Sequence, residues 1–277
     1  MAARANAQDV PDMALTDRFR EQNRAVHRQS DALVNVKLAA AMTDMRMYMQ
    51  ALVFFRALFV AIETALQKNA HLSTVRPMYE CFCDPSTRRT ERFDRDIQFF
   101  QQRLAKSEHA KGRAASVVSE TLPESVIAYV THISKLAHSP DTAYLVTAYA
   151  YTMMQAILGG GRILKKLVTT GLALDPDSDD GVAIFCLEKG QTVADVRDRL
   201  RSAINRNIGP QLNDAQRQAL VAETKQVFLR NNRMVADLQT TADFLRRIIK
   251  WILLVLFLIL CLYMGVSKIK AKIVEPL

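Results

Sequence analysis

Three side chains near the start of the chain share one helical face: Arg20, Arg24 and His27, at positions i, i+4 and i+7. Two guanidinium groups beside an imidazole suit a ligand with a metal at its centre and negative charge at its rim. Asp31 follows one turn later, where a carboxylate can accept the far ring N–H of a ligating histidine and fix which nitrogen faces the metal. The competing reading is an ordinary surface or core histidine, with Asp17 and Glu21 relieving the two arginines.

A second feature is Gly159-Gly160-Gly161, flanked by helical patterns from Tyr149 to Leu158 and from Arg162 to Leu167. Three glycines destabilise a helix by roughly 3 kcal/mol relative to alanine. Such a run either lets a flat ligand lie against bare backbone or serves as a hinge between two helices.

The elements that must position these residues are helices. With 277 residues, 49% hydrophobic and 23% charged, and only nine glycines and eight prolines, the chain reads as an all-α protein with one main domain. Periodicity predicts a helix from Leu15 to Leu33 and a long one capped by Thr43, with Met45, Tyr48, Leu52, Phe55, Phe59, Ile62 and Leu66 on its core face. Pro77 and Pro85 bracket a predicted loop, and helices follow from Ser86 to Leu104 and from Pro123 to Leu136. A very apolar helix starts near Thr142, Asp175 to Gly181 is a loop, and further helices run from near Val193 and from Asp214 to Phe244.

The net charge of +9 is scattered, which excludes the footprint of a dedicated nucleic-acid binder and fits a nearby anionic membrane or an acidic ligand or partner. Cys81 and Cys83 lie too close for a zinc-finger spacing, Cys186 is isolated and Cys261 falls in a hydrophobic run, so all four read as reduced thiols. His132 and His138 do not share a helical face and read as structural; His71 and His109 sit in polar segments. Phosphate-loop, paired-histidine zinc, nucleophile-elbow and dinucleotide motifs are absent from the sequence.

From Trp251 to Val266 the chain carries no charge, and Ile248 and Ile249 extend the run across Lys250. At 1.5 Å per residue, 248–266 is roughly 28 Å long, close to the hydrocarbon thickness of a bilayer. Arg246, Arg247 and Lys250 on one side, and Lys268, Lys270 and Lys272 on the other, are placed to reach headgroups, with Trp251 and Tyr263 near the interfaces. The expected organisation is a leader (1–12), a helical domain (13–235), a juxtamembrane segment (236–247), a transmembrane anchor (248–266) and a basic tail (267–277). The expected location is the cytosolic face of the endoplasmic reticulum, inserted by the tail, or alternatively the outer mitochondrial membrane.

Ala25-Val26-His27-Arg28-Gln29-Ser30-Asp31 resembles the proximal helix of heme oxygenases, and Ala148-Tyr149 through Gly159-Gly160-Gly161-Arg162-Ile163-Leu164-Lys165-Lys166 resembles their distal helix. Thr224-Lys225-Gln226-Val227-Phe228-Leu229-Arg230-Asn231 continues the likeness, which spans about residues 14–235 and is nearest to insect and other arthropod members. The resemblance implies an all-α heme oxygenase-like domain in which His27 ligates heme iron and Asp31 holds its imidazole. It further implies that Arg20, Arg24, Arg197 and Arg201 meet the propionates, that Gly160 and Gly161 lie flat over the distal face, and that Phe228 and Asn231 belong to the same pocket. The family's reaction opens heme, which is both substrate and oxygen activator, to biliverdin, carbon monoxide and ferrous iron. It uses O2 and electrons from NADPH delivered by NADPH–cytochrome P450 reductase.

The departures fall on the distal side. Ile157 stands where the family has a proton-steadying aspartate, Ala156 replaces a glycine, Met153 an arginine and Phe59 a tyrosine; only Tyr151 of that set remains. Losing the aspartate removes a proton-delivery group commonly contributing on the order of 10²–10⁴ in rate, so slow or poorly regioselective turnover is expected. The alternative is a heme-binding relative that senses, stores or delivers heme without opening it.

Overall fold

The structure, a computed structural model, describes residues 13–110 and 121–239, with 249, 250, 252, 253, 255, 256, 258 and 259; side chains at 27–36, 38 and 108–110 are outside the description. Among the described residues the regular structure is all helical. The order is α1 (Leu15–Ala41), α2 (Met45–Lys68), α3 (Arg76–Phe82), α4 (Thr90–Ala110), α5 (Glu124–Leu136), α6 (Pro140–Ala143), α7 (Val146–Gly171), α8 (Val193–Ser202) and α9 (Asp214–Ala236). A 3₁₀ turn at Ala183–Phe185 precedes α8, and a π-helical segment, Ala203–Ile208, follows it, ending in a 3₁₀ turn at Gly209–Gln211.

The stripe read from the sequence makes α2 the core strut, with Leu52, Leu58, Phe59, Ile62 and Leu66 at most 2% exposed. By length and composition it is the one helix among the described residues apolar enough to cross a membrane, yet 61% of its apolar window is buried, which marks a core helix. It packs on α4 and α5. Its cap is Asp44 rather than Thr43: the Asp44 carboxylate accepts from the N–H groups of Arg46 and Met47, both at 3.1 Å. The Thr43 hydroxyl instead donates back to the Ala40 carbonyl at 3.0 Å, closing α1.

Helix α1 runs on to Ala41, past the expected Leu33, and the boundaries around α3 and α4 differ from expectation for identifiable reasons. Pro77 lies in the first turn of α3, where a missing N–H leaves nothing unsatisfied, so a short helix occupies the predicted loop. Helix α4 starts at Thr90, not Ser86, because Asp84 draws Ser86 into a turn (N–H to Oδ1, 2.9 Å). Its first donors, Arg89 N–H and Thr90 N–H, reach Glu63 Oε1 on α2 at 3.0 and 3.1 Å.

Helix α1 lies along α9. Asn23 Nδ2 donates to Thr224 Oγ1 at 2.5 Å, and Lys37 Nζ donates to the carbonyls of Ala236 and Leu238 at 2.7 and 2.8 Å. The Ala236 carbonyl is one that a helix end leaves open, and α9 closes there rather than running on to Phe244. Gly171 ends α7 against the α1–α2 turn, where a Cβ would overlap the Met42 carbonyl oxygen.

Asp96, buried on α4, accepts from Ala183 N–H (2.9 Å) and Ile184 N–H (3.0 Å), and burial pushes its carboxyl up to about 6. Because the folded value lies above the ordinary one, the folded state binds the extra proton, and this contribution to stability is lost as pH rises from about 4 through about 6. Urea midpoints of the wild type and Asp96→Asn are therefore expected to diverge in a pH-dependent way across that window; a constant difference would contradict the placement of the group.

Residues from 239 onward form a second unit. Of its described residues, Ile249, Ile252, Leu253, Val255, Leu256, Leu258 and Ile259 are helical and 49–59% exposed. The remainder of the expected anchor, including Trp251, Cys261 and Tyr263, lies outside the described residues, as do the leader 1–12 and the tail 267–277.

Candidate functional site

Helices α1, α7 and α8 meet at Tyr151, which is 9% exposed and packs edge-on against Phe19 with centroids 5.7 Å apart. Burial pushes its phenol up, while hydrogen bonds from Arg201 and Thr16 and the positive charge of Arg20 act the other way. Thr16 is itself held by Asn205 of the π segment: Asn205 Nδ2 donates to Thr16 Oγ1 at 2.9 Å, and Thr16 N–H donates to Asn205 Oδ1 at 3.0 Å. The two arginines that the sequence places on different helices are thus brought to one phenol. Arg20 remains exposed and lies 4.0 Å from Asp17, the partner anticipated for it.

Arg197, one turn before Arg201, donates through Nε to Gln155 Oε1 at 3.3 Å. Gln155 Nε2 is buried with no partner among the described residues. Alongside α8 runs an open cleft of about 700 Å³ lined by Asp195, Asp198, Arg199, Arg201, Ser202, Asn205 and Arg206. Arg24 is exposed on α1. His27 and Asp31 lie on the same helix, and their side chains are outside the description.

The glycine run does not break α7, which is one α-helix from Val146 to Gly171. Open space lies at Gly159, where a Cβ would meet nothing within 4 Å; at Gly160 it would meet only Leu164, 3.6 Å away. Gly161 is buried, and a Cβ there would lie 3.5 Å from the Phe185 ring. The bare face of the helix is therefore centred nearer Gly159 than Gly161.

Met153, Ile157 and Phe59, which the resemblance assigns to the distal side, are partly or fully buried. Met153 is 3% exposed, and Asn231 Nδ2 lies 3.3 Å from its sulfur while Asn231 Oδ1 is buried without a partner among the described residues. Ile157 lines a cavity of about 350 Å³ with Leu158, Phe185 and Leu187 and with the charged Arg162, Lys165 and Asp179. Phe59 sits in the core between Phe82 and Phe93, at 5.8 and 5.2 Å between centroids. Phe228 is half-buried on α9.

His132 has the structural role expected of it, with Nε2 2.7 Å from Glu223 Oε1, an oxygen that also accepts from the Tyr149 hydroxyl. Cys81, Cys83 and Cys186 are free thiols, and burial pushes each of them up, away from the reactive thiolate. No group of metal-ligating side chains occurs among the described residues.

Thr16, Gln155 and Asn205 were not singled out in the sequence. The signal was available: each continues a four-residue step, Thr16-Arg20-Arg24, Tyr151-Gln155-Gly159 and Arg197-Arg201-Asn205.

Known structures share this fold. The structure is similar to that of heme oxygenase 2 from Chlamydomonas reinhardtii without heme, at 24% identity and TM-score 0.69, covering 83% of this chain and 99% of that one. It is similar to heme oxygenase-1 from the cyanobacterium Synechocystis in complex with heme, at 20% identity and TM-score 0.68, covering 88% of this chain and all of that one. It also resembles heme oxygenase from Leptospira interrogans, at 23% identity and TM-score 0.65, over 82% of this chain and all of that one. No curated protein sequence matches. At these identities the structures establish a shared fold, and the family model described as heme oxygenase matches residues 13–237. The chain belongs to the heme oxygenase family.

Proposed function

We propose that this protein binds heme between α1 and α7 and opens it oxidatively to biliverdin, carbon monoxide and ferrous iron. O2 is the oxidant and NADPH, through a reductase, the electron source. The observation that carries this reading is the gathering of Arg20 and Arg201 about Tyr151 on α7, two turns before the open backbone face at Gly159 on the same helix. Cations from two helices receive carboxylates there, and bare backbone admits a flat ring. In this reading His27 is the iron ligand, Asp31 its orienting partner, and Arg24 a further cation at the rim.

The exposed apolar helical residues from Ile249 to Ile259 support an anchor at 248–266, with the helical domain on the cytosolic side of the endoplasmic reticulum or outer mitochondrial membrane. The arthropod-like pattern of the distal segment belongs to the same proposal.

The test is turnover by the full chain in detergent, supplied with hemin, reductase, NADPH and oxygen. Decay of the Soret band with appearance of biliverdin is the expected result; a bound, stable band would overturn the catalytic reading and leave a heme-binding protein. That second reading is favoured by one specific observation, the apolar character of Met153, Ile157 and Phe59 where the family carries polar groups.

Ile157→Asp distinguishes the two. At the cavity beside Phe185, which Arg162, Lys165 and Asp179 also line, an aspartate would place a carboxyl able to hold and pass on a proton. Turnover should rise by about a hundred-fold, the lower end of the range for a positioned acid. Unchanged rate and unchanged biliverdin isomers would show that Ile157 does not face the reacting ring.

A further inference from the structure

We infer that Gln155 is a specificity-determining residue, whose amide holds Arg197 and itself donates to a carboxylate of the bound porphyrin; this rests on the heme reading above. Gln155 lies one turn beyond Tyr151 and one turn before Gly159, on the face of α7 that meets the Arg201 phenol contact and the open backbone. Its two amide atoms are in different states. Oε1 accepts from Arg197 Nε at 3.3 Å, whereas Nε2 is buried and has no partner among the described residues.

A buried amide donor left unmatched is costly, and a native protein keeps one where something else completes it. The completing group must be an acceptor, and its neighbour fixes its charge. An arginine anchored through Nε presents its two terminal nitrogens as a fork, the geometry that grips a carboxylate by two parallel hydrogen bonds. A carboxylate in that fork also has lone pairs for the Gln155 amide. Tyr151 and Arg201, one turn away on each helix, hold the adjoining position, so the two carboxylates of a porphyrin edge find separate receivers.

The experiment compares hemin with its dimethyl ester, which keeps the iron and the ring and lacks the carboxylates. Soret titrations use the full chain in detergent, as wild type, Gln155→Leu and Gln155→Glu. Gln155→Glu keeps an acceptor for Arg197 and sets a negative charge where the amide donor was. Both variants should bind hemin roughly ten-fold or more weakly, the scale of one hydrogen bond to a charged group, with affinity for the ester unchanged. Equal loss for hemin and ester would make Gln155 a packing residue and overturn the inference, as would no loss at all. A wild type that binds hemin and ester equally would overturn it while leaving the heme reading intact, and a wild type that binds neither would overturn the heme reading itself. Should Gln155→Leu fail to fold, by loss of helical circular dichroism, Gln155→Met, which also lacks the donor and adds no charge, decides in its place.

Discussion

His27→Ala is expected to abolish the histidine-ligated Soret spectrum of the hemin complex and to lower turnover by at least about a hundred-fold, consistent with removal of a group acting directly at the reacting centre. The reason is positional: His27 lies one turn beyond Arg24 on α1, the helix whose Thr16 hydrogen-bonds Tyr151 and whose Arg20 charge acts on it. Removing the imidazole leaves the arginines in place, so hemin should still associate through its carboxylates, with a five-coordinate or water-ligated spectrum. Free imidazole, small enough to enter the vacated space, should restore the wild-type band. A His27→Ala spectrum identical to wild type would remove the histidine from the iron and place the ligand elsewhere in the slot.

The largest expected effect on stability is at Glu63, far from that slot. This carboxylate is 4% exposed; Oε1 accepts the N–H groups of Arg89 and Thr90, and Oε2 accepts from Arg88 Nε at 3.2 Å. Glu63→Ala would leave two buried backbone donors at the start of α4 and one arginine without their acceptor. Arg88 is 39% exposed and recovers part of its loss from water, so the cost falls mainly on the two backbone donors. A destabilisation of about 3 kcal/mol is expected from unmatched donors and a lost helix cap together. Glu63→Gln, which retains one acceptor oxygen, should lose less. Chemical denaturation of both variants checks the order; equal midpoints to wild type would mean that water replaces the carboxylate at no cost.

Much of the fold was legible because local chemistry and tertiary packing agree. Helix α8 starts at Val193 as read, since Thr192 and Asp195 form a reciprocal cap that needs no distant partner. Helix α5 ends at Leu136, as read. The disagreements arise where a distant residue decides. The start of α4 rests on the local Asp84–Ser86 turn and also on Glu63, whose part no pattern in residues 84–90 reveals, and Lys37 meets the end of α9. Pro77 was read as a breaker although proline is equally at home in a first helical turn. The π segment after α8 has no sequence signature, since widening a helix by one residue leaves the side-chain pattern nearly intact.

The site divides in the same way. Arg20, Arg24 and His27 were visible as a face, and the glycine run as a gap in a helix. What joins α1 to α8 was not: Asn205 and Thr16 are 189 positions apart, and their paired hydrogen bonds follow only from the packing. Gly161 carried the expectation of bare backbone, but Phe185, 24 positions later in the chain, covers it and leaves the opening at Gly159.

The most direct measurement is a titration of hemin into the full chain in detergent, followed at the Soret band for the wild type and for Arg20→Ala combined with Arg201→Ala. A slot with cations at one end predicts saturation at one hemin per chain and a weaker, still saturable curve for the double variant. Hemin that never saturates, or that binds the wild type and double variant alike, would contradict a porphyrin seated between α1 and α7 with its carboxylates at Tyr151.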